Sequence, residues 1–205
     1  MKWYDVVTPV YDRAISRTYL PYRKVAVQAL HLQPCLTVLD IGCGTGLNFE
    51  LILNEIGAQS TLIGIDSSTK MLDRARQKVD RHRWSNVHLL KLNAGKLTRN
   101  DLEALTSDGT IINSIICTLG LSVFSDWRVV FERTFNLLET NGRYSVMDIF
   151  NDKVTLRTRI VSILANSDNS RRFWEPLKKR CEGYSEERYP MAHGDTVVVA
   201  SGTKS

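Results

Sequence analysis

Residues 36 to 46 read Leu-Thr-Val-Leu-Asp-Ile-Gly-Cys-Gly-Thr-Gly, a short apolar run that breaks into three alternate glycines. A run of this length, rich in β-branched residues, predicts a strand. The glycines at 42, 44 and 46 end it and supply the unrestricted backbone of a tight turn. Leu47, Leu51 and Ile52 then recur at helical spacing. Strand, glycine turn and helix in that order open a βαβ unit, and a parallel neighbour is reached only through such a crossover.

The rest of the chain repeats the pattern. A second strand is expected over Thr61 to Asp66, with Ser67 and Ser68 as N-cap hydroxyls and Met71, Leu72, Ala75 and Val79 as the buried stripe of the next helix. A third strand is expected from Val87 to Asn93 and a fourth from Thr110 to Cys117. Asp126 is placed to cap a helix through Trp127, Val130, Phe131 and Leu138, which Asn141-Gly142 stops. The fifth strand is expected at 143–149, with helical stretches near 153–165 and 171–182. A closing hairpin has arms at 184–189 and 196–201. Ahead of the first strand, helices are expected near 10–19 and 21–32, with Pro21 at a first helical position. Trp3, Tyr4, Tyr11, Tyr19 and Tyr22 crowd this region, either as a lid over a cleft or as packing on the sheet edge. The division expected is one domain, 1–205, with a helical lid over 1–34 and an α/β core over 35–205.

Composition narrows the class. Hydrophobic residues make up 43% and charged residues 24%, the balance of a globular domain. No apolar run approaches the roughly 18 residues that would span a bilayer, and the start Met-Lys-Trp-Tyr-Asp lacks a secretory apolar core, so a cytoplasmic location is expected. Cys35, Cys43, Cys117 and Cys181 form no Cys-x-x-Cys pair and are read as reduced thiols. His31, His82, His88 and His193 offer no pair at ligand spacing, so no metal is expected. The formal charge of +5 suits either anionic neighbours or a solvated basic surface.

A glycine turn that opens a helix can serve a dinucleotide, whose pyrophosphate uses the unpaired helix amides. Two features disfavour that ligand. The dinucleotide fingerprint wants its third glycine where this chain has Leu47, and Asp40 would repel a pyrophosphate. S-adenosylmethionine carries an ammonium and a sulfonium and no phosphate, so a carboxylate there assists it. Asp40 bonding its own loop amides is the plainer alternative. Asp66, ending the second strand, can accept hydrogen bonds from both ribose hydroxyls, a role that also fits NAD, or it can cap the next helix. Asn93 and Met71 are open between adenine contact and core.

With these residues in hand, the chain resembles class I S-adenosylmethionine-dependent methyltransferases from about Tyr4 to the final strand. Val-Leu-Asp-Ile-Gly-Cys-Gly-Thr-Gly is similar to their first motif, and Gly-Ile-Asp-Ser-Ser at 64–68, followed by Met71-Leu72 and Ala75, to their ribose and adenine segment. The likeness implies a Rossmann-like, doubly wound α/β fold with a seven-stranded sheet, an antiparallel C-terminal hairpin and helices on both faces. It implies that Asp66 binds the ribose, that Met71, Asn93 and Ala94 flank the adenine, and that Gly42, Cys43 and Gly44 hold the methionine part through backbone, with Asp40, Gly46 and Ser67 also at the cofactor. Cys117, Thr118 and Leu119 would line the pocket. Tyr4-Asp5 and Tyr11-Asp12 resemble the subgroup of ubiquinone and menaquinone C-methyltransferases and phospholipid N-methyltransferases, which implies pocket roles for Tyr11, Tyr19 and Arg23. Asn93 and Asn113 stand where that family often has Asp.

Methyl transfer asks chiefly for alignment, and a base only where the acceptor must lose a proton. Asp148 and Tyr11 are the candidates, Asp148 being equally suited to capping a following helix. Trp127 and Trp174 read as core or substrate wall. The acceptor expected is a small molecule or lipid headgroup, with no specific nucleic-acid binding. The basic, aromatic start can also lie against an anionic membrane, placing the protein at its periphery. A noncatalytic S-adenosylmethionine-binding protein and a nicotinamide-dependent oxidoreductase are the alternatives.

Overall fold

The computed structural model describes residues 8–106, 109–151, 167–191 and 194–205, with side chains from Arg17 onward in the leading helix. That helix, α1, runs Thr8–Gln28 and leads to β1 (Thr37–Ile41), the glycine turn and α2 (Phe49–Ile56). There follow β2 (Thr61–Asp66), α3 (Thr69–His82), β3 (Val87–Lys91), a single 3-10 turn (Ala94–Lys96), α4 (Arg99–Thr106) and β4 (Ile112–Thr118). The second half comprises α5 (Trp127–Leu137), β5 (Leu138–Phe150), α6 (Glu175–Arg180), β6 (Cys181–Pro190) and β7 (Thr196–Lys204).

The seven strands form one sheet in the order β3-β2-β1-β4-β5-β7-β6. The first five are parallel, and β7 inserts antiparallel between β5 and β6, as the expected C-terminal hairpin. Strand order reverses beside β1, which pairs with β2 on one side and β4 on the other. Crossovers leave in opposite directions there and open a crevice at the carboxyl ends of the strands.

Alternation along the strands divides the core. Leu39, Ile41, Ile63, Ile65, Ile115 and Val146 face α5 and α6, packing with Phe131, Phe135, Phe173 and Trp174. Val38, Leu62, Ile116 and Met147 face the other way, toward Ala26 and Val27 of α1, Leu30 just after it, Phe49 and Ile52 of α2, and Leu72 of α3. Helices therefore cover both faces. Trp127 and Trp174 are buried core residues.

Several local expectations need correction. The two leading helices are one, with Pro21 inside α1; packing of Ala26, Val27 and Leu30 outweighs the backbone bond that proline cannot make. Asp126 stands at the α5 N-cap position without making a cap bond. Asn141-Gly142 does not end the helix, which gives way to β5 at Leu138; Asn141, at φ +65°, lies within β5 where its pairing with β4 shifts register. The helix expected at 171–182 covers only Glu175–Arg180, and the one near 153–165 lies outside the described residues. Helix α4 was not anticipated, although Thr98-x-x-Asp101 is a capping-box pattern: the Thr98 amide donates to Asp101 Oδ2 (2.9 Å) and the Asp101 amide to Thr98 Oγ1 (3.3 Å).

Candidate functional site

Even-numbered positions of β1, β2 and β4 share one face, so Asp40, Asp66 and Thr118 all rise on the side covered by α1 and α2. Asp40 is fully buried. Its two oxygens accept from Asn48 Nδ2 at 3.1 Å each, and the same amide donates to Thr118 Oγ1 at 3.0 Å. From α1, Arg23 Nη1 donates to Asn48 Oδ1 at 2.8 Å and to Thr118 Oγ1. Removal from water pushes the Asp40 carboxyl up to about 7, against the Asn48 bond and the Arg23 charge, which pull it down, with Asp66 adding to the rise. The Asp40 carboxyl beneath the turn is thus poised between its neutral and charged forms, and a neighbouring charge shifts the balance.

Asp66 stands differently. It is half-exposed; its Oδ2 accepts from the Gly44 amide (2.9 Å) and its Oδ1 from the Ser68 amide (2.8 Å). A carboxylate offers about four lone-pair sites, and through two of them Asp66 ties the glycine turn and the start of α3 to the end of β2. Asp66 does not cap α3; Ser68 does, accepting from the Met71 amide.

The three glycines have different duties. All have φ between +55° and +72°, where other residues are strained. A Cβ on Gly46 would fall 2.5 Å from the buried ring of Phe49, and one on Gly42 would fall 2.9 Å from Phe124. On Gly44 it would meet nothing within 4 Å. Gly42 and Gly46 therefore serve packing, while Gly44 borders open space. Lys78 Nζ steadies the turn from α3 by donating to the Gly46 carbonyl (3.0 Å).

Around this centre, Leu119 follows Thr118 at φ +56°, a left-handed leucine of the kind that gathers at functional sites. Burial pushes the Cys43 and Cys117 thiols up, so both are protonated and poor nucleophiles or metal ligands. Among the described residues no group of three His, Cys, Asp or Glu is placed to hold a metal ion. Met71 and Ala94 are buried beyond the end of β2 and β3, and Asn93 is exposed, its Oδ1 accepting from the Gly95 amide (2.9 Å). Ser67 is exposed at the same edge. Tyr19 packs near Tyr22, whose ring lies tilted against Tyr189 of the hairpin, centroids 5.1 Å apart. The Tyr11 side chain falls outside the described residues.

Asp148 is on the opposite face, toward α5. Its oxygens accept from the Ser122 amide (2.8 Å), the Ser122 hydroxyl (2.7 Å) and the Ile149 amide (2.8 Å). The loop it grips is also held by Arg171, which donates to the Leu121 carbonyl (2.8 Å) and the Phe124 carbonyl. Asn48, Ser122 and Phe124 were not singled out from sequence. Asn48, two places after the last glycine and at the start of α2, carried a signal as a short polar residue opening a helix. The other two sit in a loop without periodicity.

A family model described as a methyltransferase domain matches residues 32–193. The chain belongs to the methyltransferase domain family. This domain is 26% identical over 151 residues to a demethylmenaquinone methyltransferase of Listeria welshimeri, covering 72% of the chain and 61% of the relative. It thus spans about three fifths of the length of such curated relatives. The methyltransferase fold is shared with the YcgJ protein of Bacillus subtilis (TM-score 0.70, 14% identity, 89% of this chain and 97% of that one). It is shared also with a phosphoethanolamine N-methyltransferase 2 of Haemonchus contortus, solved with phosphomonomethylethanolamine and S-adenosylhomocysteine (TM-score 0.72, 12% identity, 90% and 52%).

Proposed function

We propose that the chain binds S-adenosylmethionine across the glycine turn and transfers its methyl group to a small-molecule or lipid-headgroup acceptor. The observation that carries this reading is the pair of carboxylates, Asp40 below the turn and Asp66 beside it, flanking the open space at Gly44. A cationic nucleoside without phosphate matches that charge; a pyrophosphate is repelled by it, which disfavours a nicotinamide cofactor. Asp66, at the end of β2 beside the turn, would accept from the ribose hydroxyls, with Ser67 alongside. Met71, Asn93 and Ala94 would border the adenine, and the backbone from Gly42 to Gly44 the methionine part. Cys117, Thr118 and Leu119 would line the approach from β4, with Tyr11 and Tyr19 covering from α1. The bound cofactor supplies a methyl carbon already activated by its sulfonium, and the protein's share is alignment and exclusion of water.

The Ser122 bonds support a positioning role for Asp148: it fastens the loop after β4, whose Phe124 backs the glycine turn. To take a proton from an acceptor it would have to release those bonds, so Tyr11 is left as the candidate for that step where the acceptor needs one. The names of the relatives, which include a demethylmenaquinone and a phosphoethanolamine enzyme, favour acceptors of the small-molecule or headgroup class. Among the described residues no helix is long and apolar enough to cross a membrane, and the basic, aromatic start favours peripheral contact with an anionic one.

S-adenosylhomocysteine is expected to raise the melting temperature and NAD to leave it unchanged; the reverse would overturn the cofactor assignment. Incubation with labelled S-adenosylmethionine and a fractionated metabolite and lipid extract would then identify the acceptor, and no labelled product would favour a noncatalytic binding protein. The glycines give a paired test. Gly46→Ala should destabilise by roughly 2–4 kcal/mol, because strain adds to a collision with Phe49. Gly44→Ala should cost only about 1–2 kcal/mol of backbone strain yet weaken S-adenosylhomocysteine binding the more. Unfolding curves and calorimetry on both variants measure this, and unaltered binding by Gly44→Ala would remove the ligand from that face of the turn.

A further inference from the structure

Arg23 is a charged side chain with 7% of its surface exposed, carried by the helix that precedes the first strand. Between it and Asp40 stands Asn48, with its carbonyl toward the guanidinium and its amide nitrogen on both carboxylate oxygens. Thr118 Oγ1 accepts from Arg23 and from Asn48 at the centre of the group. An amide held this way cannot flip, because its nitrogen would then face the cation and its oxygen the anion. The three residues come from α1, the start of α2 and β1, so the contact exists only when α1 lies on the sheet.

We propose that Arg23 is a positioning residue that acts through Asn48 to couple the seating of α1 to the negative charge held beneath the glycine turn. A ligand that brings an ammonium group to the turn and the docked helix then favour each other, since such coupling is reciprocal. The ligand arm of this inference rests on the cofactor reading above; its helix arm does not. The groups facing Asp40 are Arg23 from α1, Asn48 from the start of α2 and Asp66 from β2, with the protonated thiols of Cys43 and Cys117 nearby. Arg23 opposes the rise that burial imposes on the Asp40 carboxyl, so its loss moves the appearance of negative charge to higher pH.

The test compares wild type with Arg23→Met and Arg23→Lys from pH 6 to 9, by thermal unfolding without ligand and by calorimetric titration with S-adenosylhomocysteine. Without ligand, the loss of stability with rising pH should level off as pH passes through about 7 in wild type, where Asp40 is half ionised, and continue to higher pH in the Met variant. With ligand, the Met variant should bind roughly tenfold or more weakly at pH 7, the gap narrowing by pH 9. The Lys variant should fall between, keeping the charge without the planar fork. S-adenosylhomocysteine should slow amide exchange at residues 17–28 in wild type and not in the Met variant. A uniform loss of stability at every pH, with a parallel binding curve and unchanged exchange, would make Arg23 an ordinary packing residue and overturn the proposal. Wild type that fails to bind S-adenosylhomocysteine would sink the cofactor reading, while the ligand-free curves would still decide the link from Arg23 to Asp40.

Discussion

An Asp66→Ala variant should lose S-adenosylhomocysteine affinity by at least about 100-fold, the largest binding effect expected of a single change here. Two losses combine. The acceptor for the ribose hydroxyls disappears, and the Gly44 and Ser68 amides lose the charged partner that ties the turn to the end of β2. Hydrogen bonds to a charged group contribute about 1.5–3 kcal/mol each, so the variant should also melt at lower temperature. Asp66→Asn separates the two contributions: its oxygen can keep one amide while the paired acceptor geometry is lost, so stability should largely return and affinity should not. Calorimetry and thermal unfolding on both variants measure this. Undiminished binding by either would remove Asp66 from the ribose.

Asp40→Asn should show the opposite relation between stability and binding. In the unfolded chain Asp40 ionises near 3.8, whereas in the folded protein burial delays ionisation to about 7. The folded state therefore holds its proton longer, and the contribution of this residue to stability is complete below about pH 4, declines as pH rises toward 7 and stays low above it. At about 1.4 kcal/mol per pH unit, the ionised carboxylate costs on the order of 4 kcal/mol at pH 8. Asparagine is nearly isosteric, can still accept from Asn48 and carries no such cost. The variant should melt at least roughly 5 °C above wild type at pH 8, with the difference closing as pH falls toward 4. It should nevertheless bind S-adenosylhomocysteine at least about tenfold more weakly at pH 8, and without the fall in affinity below pH 7 expected of wild type. A variant that melts lower than wild type at pH 8 would show that the ionised carboxylate is stabilising. Equal affinity at pH 8 would separate Asp40 from the ligand.

Much of this site is legible in the chain because its parts are local. Asp40 and the glycines lie within seven residues of one another, and Asp66 ends the next apolar run, so strand, turn and helix periodicity brings their backbone positions into view. The parallel sheet and the closing hairpin follow from the same periodicities. Reading failed where two local preferences competed or where the signal was short. Proline favours a helix start, as the local sequence at Pro21 suggests, yet the apolar side of α1 carries the helix through it. Asn141-Gly142 has the chemistry of a helix stop, but the helix had already ended as Leu138 entered the sheet. Helix α4 is only eight residues long, and its capping box was its clearest mark.

The choice of a cationic nucleoside over a dinucleotide can be argued from the order of residues alone, because it turns on the spacing of glycines and on a carboxylate two places before the first of them. What those carboxylates do in the folded protein cannot. Arg23, Asn48 and Thr118 come from three separate elements, and Asp40 meets them only because strand alternation places it and Thr118 under the same helices. The same alternation sends Asp148 to the far face, into the grip of Ser122. A side chain's ionisation and partners depend on burial and on neighbours distant along the chain, and these exist only once the sheet has closed and both helical layers have packed upon it.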